Sequence, residues 1–292
     1  MALQIQQLST PDGRSLEVAS VGDPSGRTVF LHHGSPGTVA MLELFEGVAR
    51  RDGWLMVALT RPGYAGSSRL EGRTVASVVD DVRVVLDALG RDSYLAVGWS
   101  GGGPHALACA ALDAPRCRGA WSLAGVVPID VDFDWTAGMG PENIEEFSLA
   151  VEGGALYEAH MAATGAQFAT ATPENVIDLF GGLLSQVDKG ALADYAARAT
   201  LARACADAFS NGWYGFFDDD QAFFSPWGFD VATIEVPVAI WYGNEDYMVP
   251  ATHGAWLVQH IAGAREVHLA GEGHISLVKN HLDQLSAEIT GA

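Results

Sequence analysis

At 292 residues the chain can bury a large core, and its 49% hydrophobic content marks a globular protein of one or two domains. A net charge of −20 repels phosphate backbones and anionic lipid surfaces, which argues against nucleic-acid or membrane-surface partners. No run approaches the ~18 apolar residues of a membrane span. Met1-Ala2-Leu3-Gln4-Ile5 lacks a basic leader, and Cys109, Cys117 and Cys205 follow no pairing pattern, so free thiols and a cytoplasmic location are expected.

In chain order, Leu3 to Leu8 and Leu16 to Val21 flank the turn signal Pro11-Asp12-Gly13 and predict an antiparallel hairpin. Thr28 to His32 is a short apolar strand, followed by the loop His33-Gly34-Ser35-Pro36-Gly37 and a helix capped by Thr38 that runs to about Arg50. Trp54 to Leu59 is a buried strand ending in Arg61-Pro62-Gly63-Tyr64-Ala65-Gly66-Ser67. Apolar residues at helical spacing predict a helix over Thr74 to Gly90. Tyr94 to Trp99 is the next strand, an alanine-rich helix follows it, and another strand spans about Gly119 to Leu123.

From about Ile129 to Phe229 no strand pattern occurs. Helices are expected from Pro141 to about Ala163, after Thr172-Pro173-Glu174, and from Asp188 to Phe209. Alternation resumes with strand Val236 to Tyr242, a helix from Thr252, strand Ala264 to Leu269 and a helix from Ser276 to Ile289. The economical architecture is α/β: a doubly wound, mostly parallel sheet (1–128 and 229–292) interrupted once by a helical insertion (129–228). Such an insertion is placed to lie as a lid over the carboxyl ends of the strands, where open α/β sheets bind ligands.

The chemistry centres on Gly98-Trp99-Ser100-Gly101-Gly102, a G-x-S-x-G between a buried strand and a helix. There a serine hydroxyl projects from a strained bend, with a helix start behind it to favour developing negative charge. The hydroxyl needs a base and the base needs an orienter. His274, in Gly271-Glu272-Gly273-His274 after the last strand, is the base of choice. Among its rivals, His268 lies in a strand, His105 lies behind the nucleophile, and His253, His260 and His281 read as helix-surface residues. Asp246, after the preceding strand, is the preferred acid, with Glu245 and the pair Asp130 and Asp132 as alternatives. The N–H groups of Gly101 and Ser35 are the expected oxyanion donors.

In these features, in their order Ser, Asp, His, and in the place of the insertion, the chain resembles the α/β-hydrolase family over nearly its whole length. The resemblance implies the α/β-hydrolase fold, catalysis by Ser100, Asp246 and His274, and an oxyanion hole at Ser35 and Gly101. The loop from His33 to Gly37 looks like that of proline iminopeptidases, although the Gly98–Gly102 elbow departs from their usual form.

In the last stretch of the insertion, Phe209, Trp213, Tyr214, Phe216, Phe217, Phe223, Phe224, Trp227 and Phe229 are expected mainly to pack lid on core, an apolar acyl pocket being the alternative. Asp218-Asp219-Asp220 reads as a solvated run or helix start, or as a receiver for an amine. No H-E-x-x-H, C-x-x-C or dinucleotide fingerprint occurs, so neither metal nor cofactor is expected. The expected activity is a carboxylic-ester hydrolase acting on a small-molecule ester. An aminopeptidase or amidase of the proline iminopeptidase type, and a non-catalytic ligand receptor, are the alternatives.

Overall fold

The computed structural model describes residues 3–292. Its strands are β1 (Ile5–Ser9), β2 (Ser15–Gly22), β3 (Arg27–His32), β4 (Trp54–Leu59), β5 (Tyr94–Trp99), β6 (Cys117–Leu123), β7 (Val238–Gly243) and β8 (Arg265–Leu269). They form one sheet in the order β1-β2-β4-β3-β5-β6-β7-β8. The β1–β2 hairpin is antiparallel and joins β4 antiparallel, while every pairing from β4 to β8 is parallel. Strands β4, β5 and β7 are buried along their whole length, as parallel strands covered by helices on both faces must be.

The helices of this layer are α1 (Leu42–Asp52), α2 (Val78–Ala88) and α3 (Gly103–Leu112). Thr38 caps a short 3-10 turn ahead of α1 by accepting the Ala40 N–H at 3.2 Å. Between β6 and β7 run α4 (Pro141–Glu152), α5 (Gly154–Phe168), α6 (Val176–Phe180), α7 (Gln186–Ala191), α8 (Tyr195–Ala208) and α9 (Tyr214–Phe223), with no strand among the described residues. After β7 come α10 (Ala251–His260), α11 (Ser276–Lys279) and α12 (Leu282–Thr290).

Five expectations need correction. The final helix expected from Ser276 to Ile289 divides at Asn280 and His281 into α11 and α12. The helix expected from Pro141 to about Ala163 breaks between α4 and α5 at Gly153 and Gly154, whose positive φ values of +68° and +78° a right-handed helix cannot continue through. The one expected from Asp188 to Phe209 divides into α7 and α8, the second capped by Asp194, which accepts the Ala196 N–H. Asp218, Asp219 and Asp220 are not solvated: all three are buried within α9, because each meets a partner. His253 is fully buried rather than on a helix surface, accepting the Val127 N–H at 3.3 Å and donating to Trp135 O at 2.9 Å.

Parallel register decides where the loops emerge. His32 aligns with Gly98, Trp99 with Leu123, Leu123 with Trp241, and Gly243 with Leu269. The loops carrying Ser35, Ser100, Asp246 and His274 therefore leave the sheet at one edge. Inserted residues pack back onto that edge: Gly140 donates to Tyr247 O at 2.7 Å and Asn143 to Met248 O at 3.1 Å.

Candidate active site

Ser100 stands between β5 and a 3-10 turn leading into α3, with φ of +58°. A non-glycine residue held there costs about 1–3 kcal/mol and persists only where its surroundings over-determine it. The neighbouring glycines make the bend possible by close approach. A Cβ on Gly98 would lie 2.1 Å from Gly102 O, and one on Gly102 would lie 2.1 Å from His32 O.

His274 and Asp246 meet across the loops after β8 and β7, with His274 Nδ1 donating to Asp246 Oδ2 at 2.8 Å. The other Asp246 oxygen accepts the N–H groups of Met248 (2.9 Å) and Val249 (2.8 Å), so the carboxylate is fixed at both ends. Both residues are buried. Burial works against a charged imidazole, but the Asp246 carboxylate hydrogen-bonded to it and, to a smaller extent, the negative charge of Asp188 raise the His274 pKa above its ordinary value. Trp99 donates its indole N–H to His274 O at 3.2 Å, and the two rings stack at 6.0 Å. Ser100 and His274 border the same small cleft. The rival acids lie elsewhere: Glu245, Asp130 and Asp132 are exposed. His105 hydrogen-bonds Gly101 O at 2.8 Å from within α3, and His268 pairs with Asn244 on the surface.

The Ser35 loop lies against the bend. A Cβ on Gly34 would sit 3.3 Å from Ser100 Cβ, and one on Gly101 would sit 2.3 Å from Ser35 Oγ. Behind this loop is a buried ionic cluster that spacing along the chain did not disclose. Arg61 donates to the carbonyls of His33 and Gly34 (2.9 Å to the latter) and to Ser35 Oγ at 2.9 Å. Asp219 accepts from Arg61 and Arg73, each at 2.6 Å, from Tyr64 OH at 2.8 Å and from Ser35 Oγ. Burial alone would raise the Asp219 pKa, but the two guanidinium groups hold it well below the usual carboxylate range.

A model of the alpha/beta hydrolase fold family matches residues 27–280. The chain belongs to that family. It is 26% identical over 256 residues to the non-heme chloroperoxidase of Streptomyces lividans, a match that covers 85% of this chain and 84% of that one. Among solved structures, an alpha/beta hydrolase fold protein from Nakamurella multipartita superposes with a TM-score of 0.68 at 24% identity, covering 99% of this chain and 100% of the other. A thermophilic esterase from Thermogutta terrifontis superposes with a TM-score of 0.69 at 17% identity, covering 99% and 97%.

In this alpha/beta hydrolase the bend opens onto a cavity of about 380 Å³. Ser35, Ser100 and Gly101 form one end; Phe216 and Phe223 of α9 form part of the wall. The other aromatics of that stretch serve packing: Phe224 meets Trp135 and Phe147, and Trp227 meets Phe229. Glu146 of α4 and Asp220 of α9 also line the cavity, with no lysine or arginine in its wall. Tyr157 donates to Asp220 at 2.8 Å. Burial pushes both carboxyls well up, Asp220 adding to it for Glu146 and Asp219 adding to it for Asp220.

Several site residues thus went unread in the sequence. Arg61 opens the motif Arg61–Ser67, and Asp219 and Asp220 lie in an acidic run that reads as solvated or amine-binding, so the sequence marks these residues without indicating that Arg61 and Arg73 close on Asp219. Asp188, which hydrogen-bonds the His274 backbone across 86 residues of chain, carries no such mark.

Proposed function

We propose that the protein is a serine hydrolase of small to medium carboxylic esters. Ser100 Oγ attacks the ester carbonyl carbon while His274 Nε2 takes the hydroxyl proton. The carbonyl oxygen becomes an oxyanion held by the N–H groups of Gly101 and Ser35. Collapse expels the alcohol, which receives its proton from His274, and leaves an acyl group on Ser100. Water then attacks the acyl carbon, again giving its proton to His274, and the carboxylic acid departs as Ser100 regains its hydrogen. Asp246 holds the imidazole tautomer with Nδ1 protonated and stabilises the imidazolium. The inserted helices form a cap that closes the acyl side. Three buried free thiols are in keeping with a reducing, cytoplasmic setting.

The observation that carries this reading is the 2.8 Å pair of His274 and doubly anchored Asp246 beside a serine held at a left-handed bend. One observation favours a second reading. The cavity wall bears Glu146 and Asp220 and no lysine or arginine, which suits a substrate with an amino group, as in an aminopeptidase or amidase. A fluorophosphonate probe is expected to label Ser100 alone, and Ser100→Ala to remove both labelling and turnover. Rates on matched aryl esters, lactones and aminoacyl amides then choose between the readings. A folded protein that takes up no probe on Ser100 would sink both.

A further inference from the structure

The loop before His274 is held locally by Gly273, whose N–H donates to Ser276 Oγ at 2.8 Å, and by Glu272, whose N–H donates to Leu269 O at 3.2 Å. It contains Gly271, at φ of +81°, and Gly273, and α11 beyond it has only 4 residues. From His274 onward the backbone is anchored by a carboxylate from the inserted segment. Asp188 is wholly buried. Its Oδ1 accepts the N–H groups of Ile275 (2.8 Å) and Ser276 (2.9 Å); its Oδ2 accepts the N–H of His274 (3.1 Å) and the hydroxyl of Ser185 (2.9 Å). Three successive backbone donors, starting at His274 itself, thus close on one side chain of α7. Ser185 is in turn the N-cap of α7, accepting the Asp188 N–H at 3.3 Å.

Asp188 forms no ion pair with any lysine or arginine among the described residues, so its charge rests on hydrogen bonds. Burying an ion in this way costs several kcal/mol before compensation. Hydrogen bonds to a charged acceptor are about twice as strong as neutral ones, which offsets that cost and yields a rigid joint. Residue 273 is shaped to admit it: a Cβ there would lie 2.4 Å from Asp188 Oδ2 and 2.5 Å from Ser185 Oγ.

We propose that Asp188 is a positioning residue for His274, set by the inserted helices, which locates the imidazole against Ser100 by holding the backbone at residues 274–276. The proposal rests on His274 being the general base. It means that the insertion is part of the catalytic machinery as well as a wall of the cavity, since moving α7 away uncaps the segment that carries the base. Asp188 also places negative charge beside the imidazole. The charged groups that raise the His274 pKa are Asp246 and Asp188. Glu272 and Lys279, which bracket it in the chain, are engaged by His281 and Asp194 respectively.

Asp188→Asn keeps the volume and one acceptor oxygen but removes the charge and turns an amide donor toward an N–H or hydroxyl donor. The expected result is a fall in kcat/KM of roughly 10- to 100-fold, the size of a small misplacement of a catalytic group. The acid limb of the pH profile should also move to lower pH, because an imidazole with one fewer anion beside it loses its proton more readily. Gly273→Ala, which crowds the carboxylate from the other side, should move both readouts in the same direction. Titration of the His274 imidazole by NMR in wild type and both variants needs no turnover, so it tests the joint even if Ser100 proves unreactive. A His274 titration that is the same in all three proteins, with kcat/KM unchanged, overturns the proposal. Loss of melting temperature with an unmoved His274 titration reduces Asp188 to a structural cap and overturns it equally.

Discussion

Asp219→Asn tests the ionic cluster behind the Ser35 loop. The substitution preserves volume but leaves Arg61 and Arg73, whose side chains are only 1% and 3% exposed, without a counter-charge. Removing one partner of a buried pair typically costs about 3–5 kcal/mol, because a charge remains unpaired in a medium that solvates it poorly. Total stabilities run at about 5–15 kcal/mol, so this is a large share. At ~2–3 °C per kcal/mol for a chain of this size, the melting temperature should fall by roughly 6–15 °C at pH 7. Arg50→Ala is the control. It removes a helix-surface pair with Glu46 in which the arginine is 49% exposed, and such pairs are worth ~0–1 kcal/mol. Asp219 has a folded-state pKa below its unfolded value, so its contribution is present above the unfolded value of ~3.9 and is lost as pH falls through the folded one. The gap between wild type and variant should therefore hold from pH 8 to 5 and narrow only in stronger acid. Because Arg61 also holds the carbonyls of His33 and Gly34, turnover should drop as well, with ~10²–10³ for one lost oxyanion donor as the ceiling. Scanning calorimetry and an activated-ester assay on the three proteins measure both effects. A variant that melts within 2 °C of wild type, or no more than the Arg50→Ala control, would refute the buried-charge account.

Two further outcomes are expected. Asp246→Asn should lower turnover by ~10⁴ through the wrong imidazole tautomer. Exposed Asp130→Asn and Asp132→Asn should stay within roughly tenfold of wild type; the opposite ranking on one activated ester would move the acid to the loop after β6. Glu146 has a folded-state pKa raised by burial and by Asp220, so its ionisation opposes folding once pH exceeds the unfolded value of ~4.3. Glu146→Gln, which mimics the protonated form, should match the wild-type melting temperature near pH 4 and exceed it at pH 8, and an unchanged difference between those pH values would show that the carboxyl is not desolvated.

Much of this protein is written locally in its sequence. The β5 strand, the bend at Ser100 and the start of α3 follow from an apolar run, glycines that admit backbone to backbone contact, and a helix-forming sequence, all within about 20 residues. The alternation of short buried strands with amphipathic helices prescribes a parallel sheet, and parallel register alone brings the loops of Ser35, Ser100, Asp246 and His274 to one edge. Boundaries inside the insertion were less legible, because Gly153 and Gly154 break a helix that the surrounding periodicity would continue. What tertiary structure alone decided is the fate of charge. Asp218, Asp219 and Asp220 look alike as a run of solvated acids, yet α9 turns them toward three different surroundings. Asp218 pairs with Arg69 at 2.8 Å, Asp219 sits between Arg61 and Arg73, and Asp220 faces Tyr157 at the cavity wall. Asp188 gains its place only when α7 folds against residues 274–276. A hydrophobic pattern records which face of an element is covered and so survives in one dimension; a buried carboxylate is stable only through partners from remote parts of the chain, and their meeting exists only in the folded molecule.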